Sequence, residues 1–391
     1  MNEPGQSRWL AVRRIEGGLM HTRSFALALL AIVAIAIPGC TPAAPAGLKV
    51  GLVTDVGQLN DKNFNQFSWE GAQDGATKIG GTSASAVSAV SADIARNIQS
   101  FVDQKYDIIV TVGFAAGNDT AKAAKANPSI KFIGVDQSFI CIDAAGAPDP
   151  TFTCAGDPAT LLPNYQGIGW KEQQPGYLAG IVAASISETG VIGAVGGTYS
   201  VPAVPNYIVG YANGAKSVNP NIQVVVQYVS PNPDAAAFAD QAGGKAFAQQ
   251  MLAANPNIDV MFQVAGLTGN GVLQAACEAN IWAIGVDVDQ YDSFPDAKAC
   301  TVVSAEKKLK KNVSDAIVRV KDGTAKGGGL KLDLTTDDVG LSSFHDHASL
   351  ITPATQALID AAVAALKAGT LQACTTNPFG ACVTGTNGAL P

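Results

Sequence analysis

Along the chain beyond residue 47, short apolar runs alternate with longer stretches whose apolar residues recur every three or four positions. The first pattern is that of buried strands, the second that of amphipathic helices. Residues 48–53, 84–90, 106–112 and 131–135 are predicted strands, the third carrying the continuous run Ile108-Ile-Val-Thr-Val112. Residues 65–79, 92–104 and 115–126 are predicted helices, the last stopped by Asn127-Pro128. Four such βα repeats predict a parallel sheet covered on both faces.

Residues 138–163 interrupt the alternation with Gly, Pro, Asp and two Cys and read as an insertion loop. A strand at 164–170 and a helix at 174–187 follow. The alternation then restarts, with strands at 191–196, 222–229, 258–264 and 281–286 and helices at about 203–218, 236–255 and 269–280. A second parallel sheet after the first predicts two similar lobes. Residues 300–305 read as a further strand and 307–321 as a lysine-rich helix. Gly327-Gly-Gly329 breaks the chain, short strands follow near 330–334 and 339–342, and a last helix covers 353–368.

Composition narrows the function classes. The 391 residues are 47% hydrophobic and 15% charged, enough for two domains with their own cores. The net charge is −7, and the first 39 residues hold four Arg and two Glu, so the remainder carries −9. An acidic body argues against nucleic acid or an anionic membrane surface as the main partner.

The N-terminus reads as a targeting segment. Met20, itself a plausible start, opens a short basic stretch, and residues 25–37 form an apolar run. That run is shorter than the about 20 residues a spanning helix needs and suits a signal peptide. It ends in Ile37-Pro-Gly-Cys40, which resembles a bacterial lipobox. Residues 1–39 are then a signal peptide, Cys40 the lipidated N-terminus, and 41–47 a tether holding the exported protein to the membrane. A plain secretory signal with a chance Cys is the alternative. The other six cysteines, Cys141, Cys154, Cys277, Cys300, Cys374 and Cys382, suit disulfides in an exported protein. Sequence alone permits 15 pairings. Proximity along the chain favours 141–154, 277–300 and 374–382.

Ligands of open α/β sheets bind outside the carboxyl ends of the strands. The residues predicted there are Asp55, Phe64, Asn65, Gly113-Phe114 and Asp136 from the first half. From the second they are Gly266-Leu-Thr-Gly-Asn-Gly271, Asp287, Asp289 and, after the 300–305 strand, Lys307. Carboxylates, one lysine and aromatic faces suit a neutral ligand bearing hydroxyls and ring nitrogens. Each residue also has a plainer reading. The Asn and Asp around Phe64 can cap the next helix, Asp136 and Asp287 can cap turns, and Lys307 can belong to a solvated lysine face with Lys308, Lys310 and Lys311. The glycines from Gly266 do not match the dinucleotide spacing. His345-Asp-His347 invites a metal reading but offers no third ligand, and structural histidines are the favoured reading. No G-x-S-x-G elbow is present.

Taken in order, Asp61-Lys-Asn-Phe-Asn-Gln66, Trp69-Glu-Gly71, Val112-Gly-Phe114, Gly134-Val-Asp136, Tyr177-Leu-Ala-Gly180, Val195-Gly-Gly197, Val264-Ala-Gly-Leu-Thr-Gly-Asn-Gly271 and Gly285-Val-Asp-Val-Asp-Gln290 resemble the basic membrane protein (BMP) family. These are substrate-binding lipoproteins of ABC transporters, among them purine-nucleoside-binding members. The resemblance runs from about residue 49 to 368. It implies a type I periplasmic binding protein fold: two Rossmann-like α/β lobes joined by a hinge of three crossings. The expected division is 48–170 with about 291–328 in lobe 1, 171–290 with about 329–370 in lobe 2, and 371–391 as a tail.

The resemblance also implies roles. Phe64 and Phe238 sandwich a base; Asp55, Asn65 and Asp136 hydrogen-bond it; Gly266, Asp287 and Lys307 hold a ribose. The implied partners are a purine nucleoside (inosine, guanosine or adenosine), the permease and ATPase of the transporter, and the membrane through Cys40. No cofactor, metal or catalytic residue is expected. The alternatives are a sensor of the same fold presenting its ligand to a signalling partner, a binding protein for another small solute, and an enzyme such as a nucleoside hydrolase.

Overall fold

The computed structural model describes residues 47–232, 235–377 and 380–383, so the expected signal peptide at 1–39, Cys40 and most of the expected tether lie outside the described residues. In chain order the elements are β1 (Lys49–Val56), α1 (Phe64–Lys78), β2 (Thr82–Ser88), α2 (Ser91–Asp103), β3 (Ile108–Val112), α3 (Gly117–Ala126), β4 (Lys131–Val135), α4 (Pro158–Leu161) and β5 (Tyr165–Trp170). There follow α5 (Gln173–Ile186), β6 (Val191–Gly196), α6 (Ala203–Val218), β7 (Gln223–Tyr228), α7 (Ala235–Phe238), α8 (Gln241–Ala254), β8 (Val260–Val264), α9 (Gly266–Glu278), β9 (Trp282–Asp287) and α10 (Gln290–Ser293). The last are β10 (Thr301–Lys307), α11 (Leu309–Lys321), β11 (Gly328–Leu332), β12 (Val339–Leu341), α12 (Pro353–Lys367), β13 (Thr375–Thr376) and β14 (Cys382–Val383).

The strands form two six-stranded sheets with matching orders, β2-β1-β3-β4-β5-β11 and β7-β6-β8-β9-β10-β12. The first is parallel throughout, and in the second only β12 runs antiparallel to its neighbour. Strands β3 and β8 are buried along their whole length, which is why their sequences are unbroken apolar runs rather than alternating ones. This is the periplasmic binding protein fold.

The chain passes between lobes three times, at 170–172, 307–308 and 332–338. The crossings lie side by side: Lys171 N–H donates to Leu332 O at 2.9 Å, and Lys308 N–H donates to Asp338 O at 2.9 Å. The expected lobe boundaries need correction here. The strand at 301–307 belongs to the second sheet, paired in parallel with β9, so the return to the first lobe comes after Lys307 and not near residue 291. Likewise β11 pairs with β5 of the first sheet, so the last crossing follows residue 332 and not 328. A strand's own sequence does not say which of two similar sheets it joins.

Two element boundaries also differ. The expected helix at 236–255 is broken after Phe238, where Asp240 caps α8 by accepting Gly243 N–H at 2.9 Å. The expected helix at 307–321 starts two residues later, because β10 runs on through Lys307. The three disulfides join Cys141 to Cys154, Cys277 to Cys300 and Cys374 to Cys382, as chain proximity favours.

Glycine spacing sets how closely the helices approach. A Cβ on Gly180 of α5 would lie 2.0 Å from Tyr211 O of α6, and one on Gly214 of α6 would lie 1.9 Å from Tyr177 O of α5. With Gly176 and Gly210 one turn away, each helix presents a bare strip of backbone to the other. The same device seats α11 on α1, where a Cβ on Gly71 would meet Lys310 O at 2.7 Å. Gly180→Ala is therefore expected to lower unfolding stability by about 1–3 kcal/mol through overpacking, read as a lower urea midpoint at unchanged slope.

Candidate functional site

The carboxyl ends of β1, β3 and β4 face those of β6, β8, β9 and β10 across a cleft with about 820 Å3 of unfilled space, part of it open to solvent. All eight residues expected to touch a ligand line it: Asp55, Phe64, Asn65, Asp136, Phe238, Gly266, Asp287 and Lys307. Residues from opposite ends of the chain meet here because both sheets reverse strand order at the same point.

The two lobes place their central carboxylates by the same local device. Gly134-Val-Asp136 closes β4 and Gly285-Val-Asp287 closes β9, and both aspartates take left-handed backbone, with φ of 60° and 67°. Aspartate is among the few residues that tolerate this conformation. A Cβ on Gly134 would lie 2.1 Å from Gln137 Oε1, and one on Gly285 would lie 2.8 Å from Gln290 Oε1. Each glycine thus lets a buried glutamine fold back under the aspartate turn. Gln137 donates to Gly113 O at 2.8 Å, and Gln290 Oε1 accepts Val286 N–H at 2.9 Å.

Lys307 joins the halves. Its Nζ lies 2.7 Å from Asp136 Oδ2 and 3.0 Å from Asp136 Oδ1 across the lobes, and 3.4 Å from Asp287 Oδ1. The side chain is 2% exposed, which removes the solvated-face reading. Its ammonium also stands over the rings of Phe64 at 4.7 Å and Trp170 at 5.2 Å. Burial alone would lower the Lys307 pKa, but Asp136, Asp287 and Glu172 outweigh it and hold it above the ordinary lysine value. Burial raises the Asp136 and Asp287 carboxyls, and the Lys307 ammonium opposes that rise in both.

Asp55 packs on bare backbone: a Cβ on Gly113 would lie 2.0 Å from its Oδ2, and Gly113 itself has a φ of 94°. Asp55 Oδ1 accepts Val56 N–H at 2.7 Å, and Asn65 Oδ1 accepts Asp55 N–H at 3.0 Å, leaving Asn65 Nδ2 for the cleft. Burial pushes the Asp55 carboxyl up to about 7; the bond from Val56 opposes the shift and the charges of Asp136 and Asp61 add to it. On the other wall, Phe238 ends α7. A Cβ on Gly197 would meet its Cε1 at 2.4 Å, so glycine there makes room for the ring.

Three residues at or beside the cleft were not among the expected ligand contacts. Tyr207 of α6 lines the cleft and donates to Asp287 Oδ1 at 3.2 Å; in the sequence it looks like an ordinary core position one turn before Tyr211. Asp61 holds the start of α1, accepting from Asn63, Asn65 and Gln66 N–H, and its own carbonyl accepts Asn270 Nδ2 from the other lobe at 3.1 Å. An Asp just before a helix is a legible cap signal; its inter-lobe contact is not. Glu172, at the first crossing, is buried beside the cleft.

Asp289, by contrast, points elsewhere. It caps α10 and pairs with His345 Nε2 at 2.7 Å, while His347 Nε2 meets Lys298 O at 2.9 Å, so the two histidines do not converge. The glycines after Gly266 are spent inside α9, where Gly271 lets α8 approach. No helix among the described residues is long and apolar enough to cross a membrane.

A family model described as "ABC transporter substrate-binding protein PnrA-like" (Bmp) matches residues 48–360. The chain is 31% identical over 365 residues to the CD4+ T-cell-stimulating antigen of Listeria innocua, covering 84% of this chain and 93% of that protein. It is 32% identical over 344 residues to the ABC transporter nucleoside-binding protein BmpA of Lactococcus lactis, covering 79% and 88%. Among solved structures, an ABC transporter system solute-binding protein of Aeropyrum pernix K1 superposes with a TM-score of 0.70 at 22% identity, over 85% of this chain and 94% of that one.

The raised Asp55 pKa has a consequence for the unliganded protein. The folded state binds the Asp55 proton more tightly than the unfolded state, so stability from this group falls as pH rises from about 4 to about 7. Asp55→Asn is expected to raise the melting temperature at pH 8, with the gain shrinking to nothing near pH 4. A difference that stays constant with pH would show that Asp55 does not change protonation on folding.

Proposed function

The chain belongs to the PnrA-like (Bmp) family of ABC transporter substrate-binding proteins, and from that premise we propose that its cleft captures a purine nucleoside for an ABC permease and its ATPase. Members of the family are binding proteins, not enzymes, and work outside the cytoplasm. The ligand and the anchor are the parts proposed: inosine, guanosine or adenosine in the cleft, and a lipid on Cys40 holding the protein to the outer face of the membrane.

The observation that carries the reading is the meeting of two aromatic rings, Phe64 and Phe238, with the Asp136–Lys307–Asp287 group in one cavity. A flat base between the rings gains roughly 1–3 kcal/mol per stacking face. Asp136 accepts from the base, Asn65 Nδ2 donates to it, and Asp287 with Lys307 takes the ribose hydroxyls. Hydrogen bonds to charged groups contribute about 1.5–3 kcal/mol each. The nucleoside-binding BmpA relative supports the same substrate class.

Binding follows from hinge closure. The elements that meet the ligand come from both lobes, so the ligand is gripped only when the lobes approach. Lys307 moves with the second sheet and Asp136 with the first, so their ion pair favours the approached state before any ligand enters.

Thermal-shift screening of the protein against nucleosides, free bases, sugars and amino acids tests the proposal. A nucleoside at 100 times its dissociation constant stabilises by about 2.7 kcal/mol, and ribose and free bases are expected to do far less. Phe64→Ala is expected to weaken nucleoside binding roughly 5- to 150-fold in calorimetry, and Asp136→Ala to abolish it, with both variants still folded. Unchanged affinity in both variants would overturn the site.

A further inference from the structure

A second, smaller cavity of about 350 Å3 of unfilled space lies on the hinge side of the cleft. It shares Phe114, Asp136, Val201 and Ala203 with the cleft and continues between Ser138, Glu172, Asn206 and Lys331. Asp136 therefore stands between the two spaces.

The far wall is a built one. Glu172 is 3% exposed and Asn206 is 1% exposed. Glu172 Oε2 accepts Asn206 Nδ2 at 3.0 Å, while its Oε1 takes no hydrogen bond among the described residues. Asn206 is engaged from behind, since its Oδ1 accepts Cys382 N–H at 2.7 Å. Cys382 sits in the β13–β14 hairpin stapled by Cys374, beyond residue 360, where the family match ends. The tail of this chain thus fixes a carboxylate whose remaining acceptor position faces the cavity. A buried carboxylate left short of donors is costly, so the position favours an occupant that supplies one.

The occupant's chemistry follows from what surrounds the cavity. Glu172 and Asp136 accept hydrogen bonds. The Ser138 hydroxyl has no partner among the described residues and either donates or accepts. Lys331, at an exposed position, reaches Trp170 O at 3.3 Å. An ammonium or hydroxyl terminus satisfies Glu172; an alkyl terminus leaves it unpaired; a carboxylate or phosphate meets two negative charges.

We propose that this cavity is a subsite for a short, hydrogen-bond-donating arm carried on the base edge of a purine nucleoside, with Glu172 as its acceptor. The inference rests on the nucleoside reading of the cleft, in which Asp136 meets that edge. An arm on the exocyclic nitrogen keeps one N–H for Asp136 and runs past it toward Glu172. The protein then accepts amino- or hydroxyalkyl-modified nucleosides as well as the parent compounds.

Calorimetry with adenosine, N6-(2-aminoethyl)adenosine and N6-propyladenosine tests it, the last two differing only in the terminal amino group. The aminoethyl compound is expected to bind at least as tightly as adenosine and about tenfold or more tighter than the propyl compound. Glu172→Gln is expected to erase most of that preference. Ser138→Leu, which fills the cavity, is expected to weaken both substituted compounds and leave adenosine unchanged. Should that variant not fold, Lys331→Met at its exposed position reads the same electrostatics, and its loss of an ammonium is expected to sharpen the preference for the aminoethyl arm. Adenosine bound with both arms excluded, or both arms bound equally with and without Glu172, would overturn the subsite alone. No binding of adenosine itself would overturn the nucleoside reading, and the subsite with it.

Discussion

The buried contact between Lys307 and Asp136 is the interaction on which the arrangement of the site depends. Taking a lysine and its carboxylates out of water is expensive, and only close geometry and several partners recover the cost. Here one ammonium serves two aspartates at 2.7 and 3.4 Å and stands against two aromatic faces. Removing any one partner leaves another charged group poorly compensated. The pair also links a residue at the end of a first-sheet strand to one carried by the second sheet, at 2.7 Å. Whatever opens the cleft must separate them, and whatever occupies it competes for the same lone pairs.

That arrangement requires a scaffold able to hold strained backbone at two places at once. Asp136 and Asp287 both adopt left-handed conformations at the ends of equivalent strands. Each is backed by a glycine and a buried glutamine that bonds back to the sheet. The repetition of one device in both lobes makes the cleft nearly symmetric in shape. The chemistry is not symmetric: the second lobe supplies Lys307 and Tyr207, the first Asp55, Phe64 and Asn65. A flat ligand with different groups at its two ends fits such a cleft in one direction.

Close helix packing serves the same end. Where α5 meets α6 and α1 meets α11, glycines let backbones approach until carbonyls nearly touch the opposing Cα positions. Such contacts leave α5 and α6, and α1 and α11, little freedom to slide on one another. Glu172 sits at the first of these crossings and is tied through Asn206 to the C-terminal hairpin. The tail therefore bears on the hinge although it is remote from it in sequence.

Much of this was legible in the residues alone, for physical reasons that are local. Alternating strand and helix periods declare an α/β fold because the side-chain period is a property of each element by itself. Asp55, Asp136 and Asp287 at strand ends, and Phe64 where the loop after β1 enters α1, were readable because every parallel strand delivers its carboxyl end to the same edge. Sequence alone left 15 cysteine pairings open, and proximity along the chain favoured the three that form. Other features are long-range. Whether β10 belongs to the first or second sheet, and hence where the hinge lies, depends on pairing between strands, not on either strand's composition. Lys307 looks like its lysine-rich neighbours until the strand is found to extend through it and bury it. Tyr207 and Glu172 carry no motif; they matter because α6 and the first crossing pass beside the cleft. Sequence by itself determined most of the elements, though not all their limits, and the types of side chain offered to a ligand. Tertiary structure decided which of them meet, because a buried charge acquires its role only from the partners that packing brings within reach.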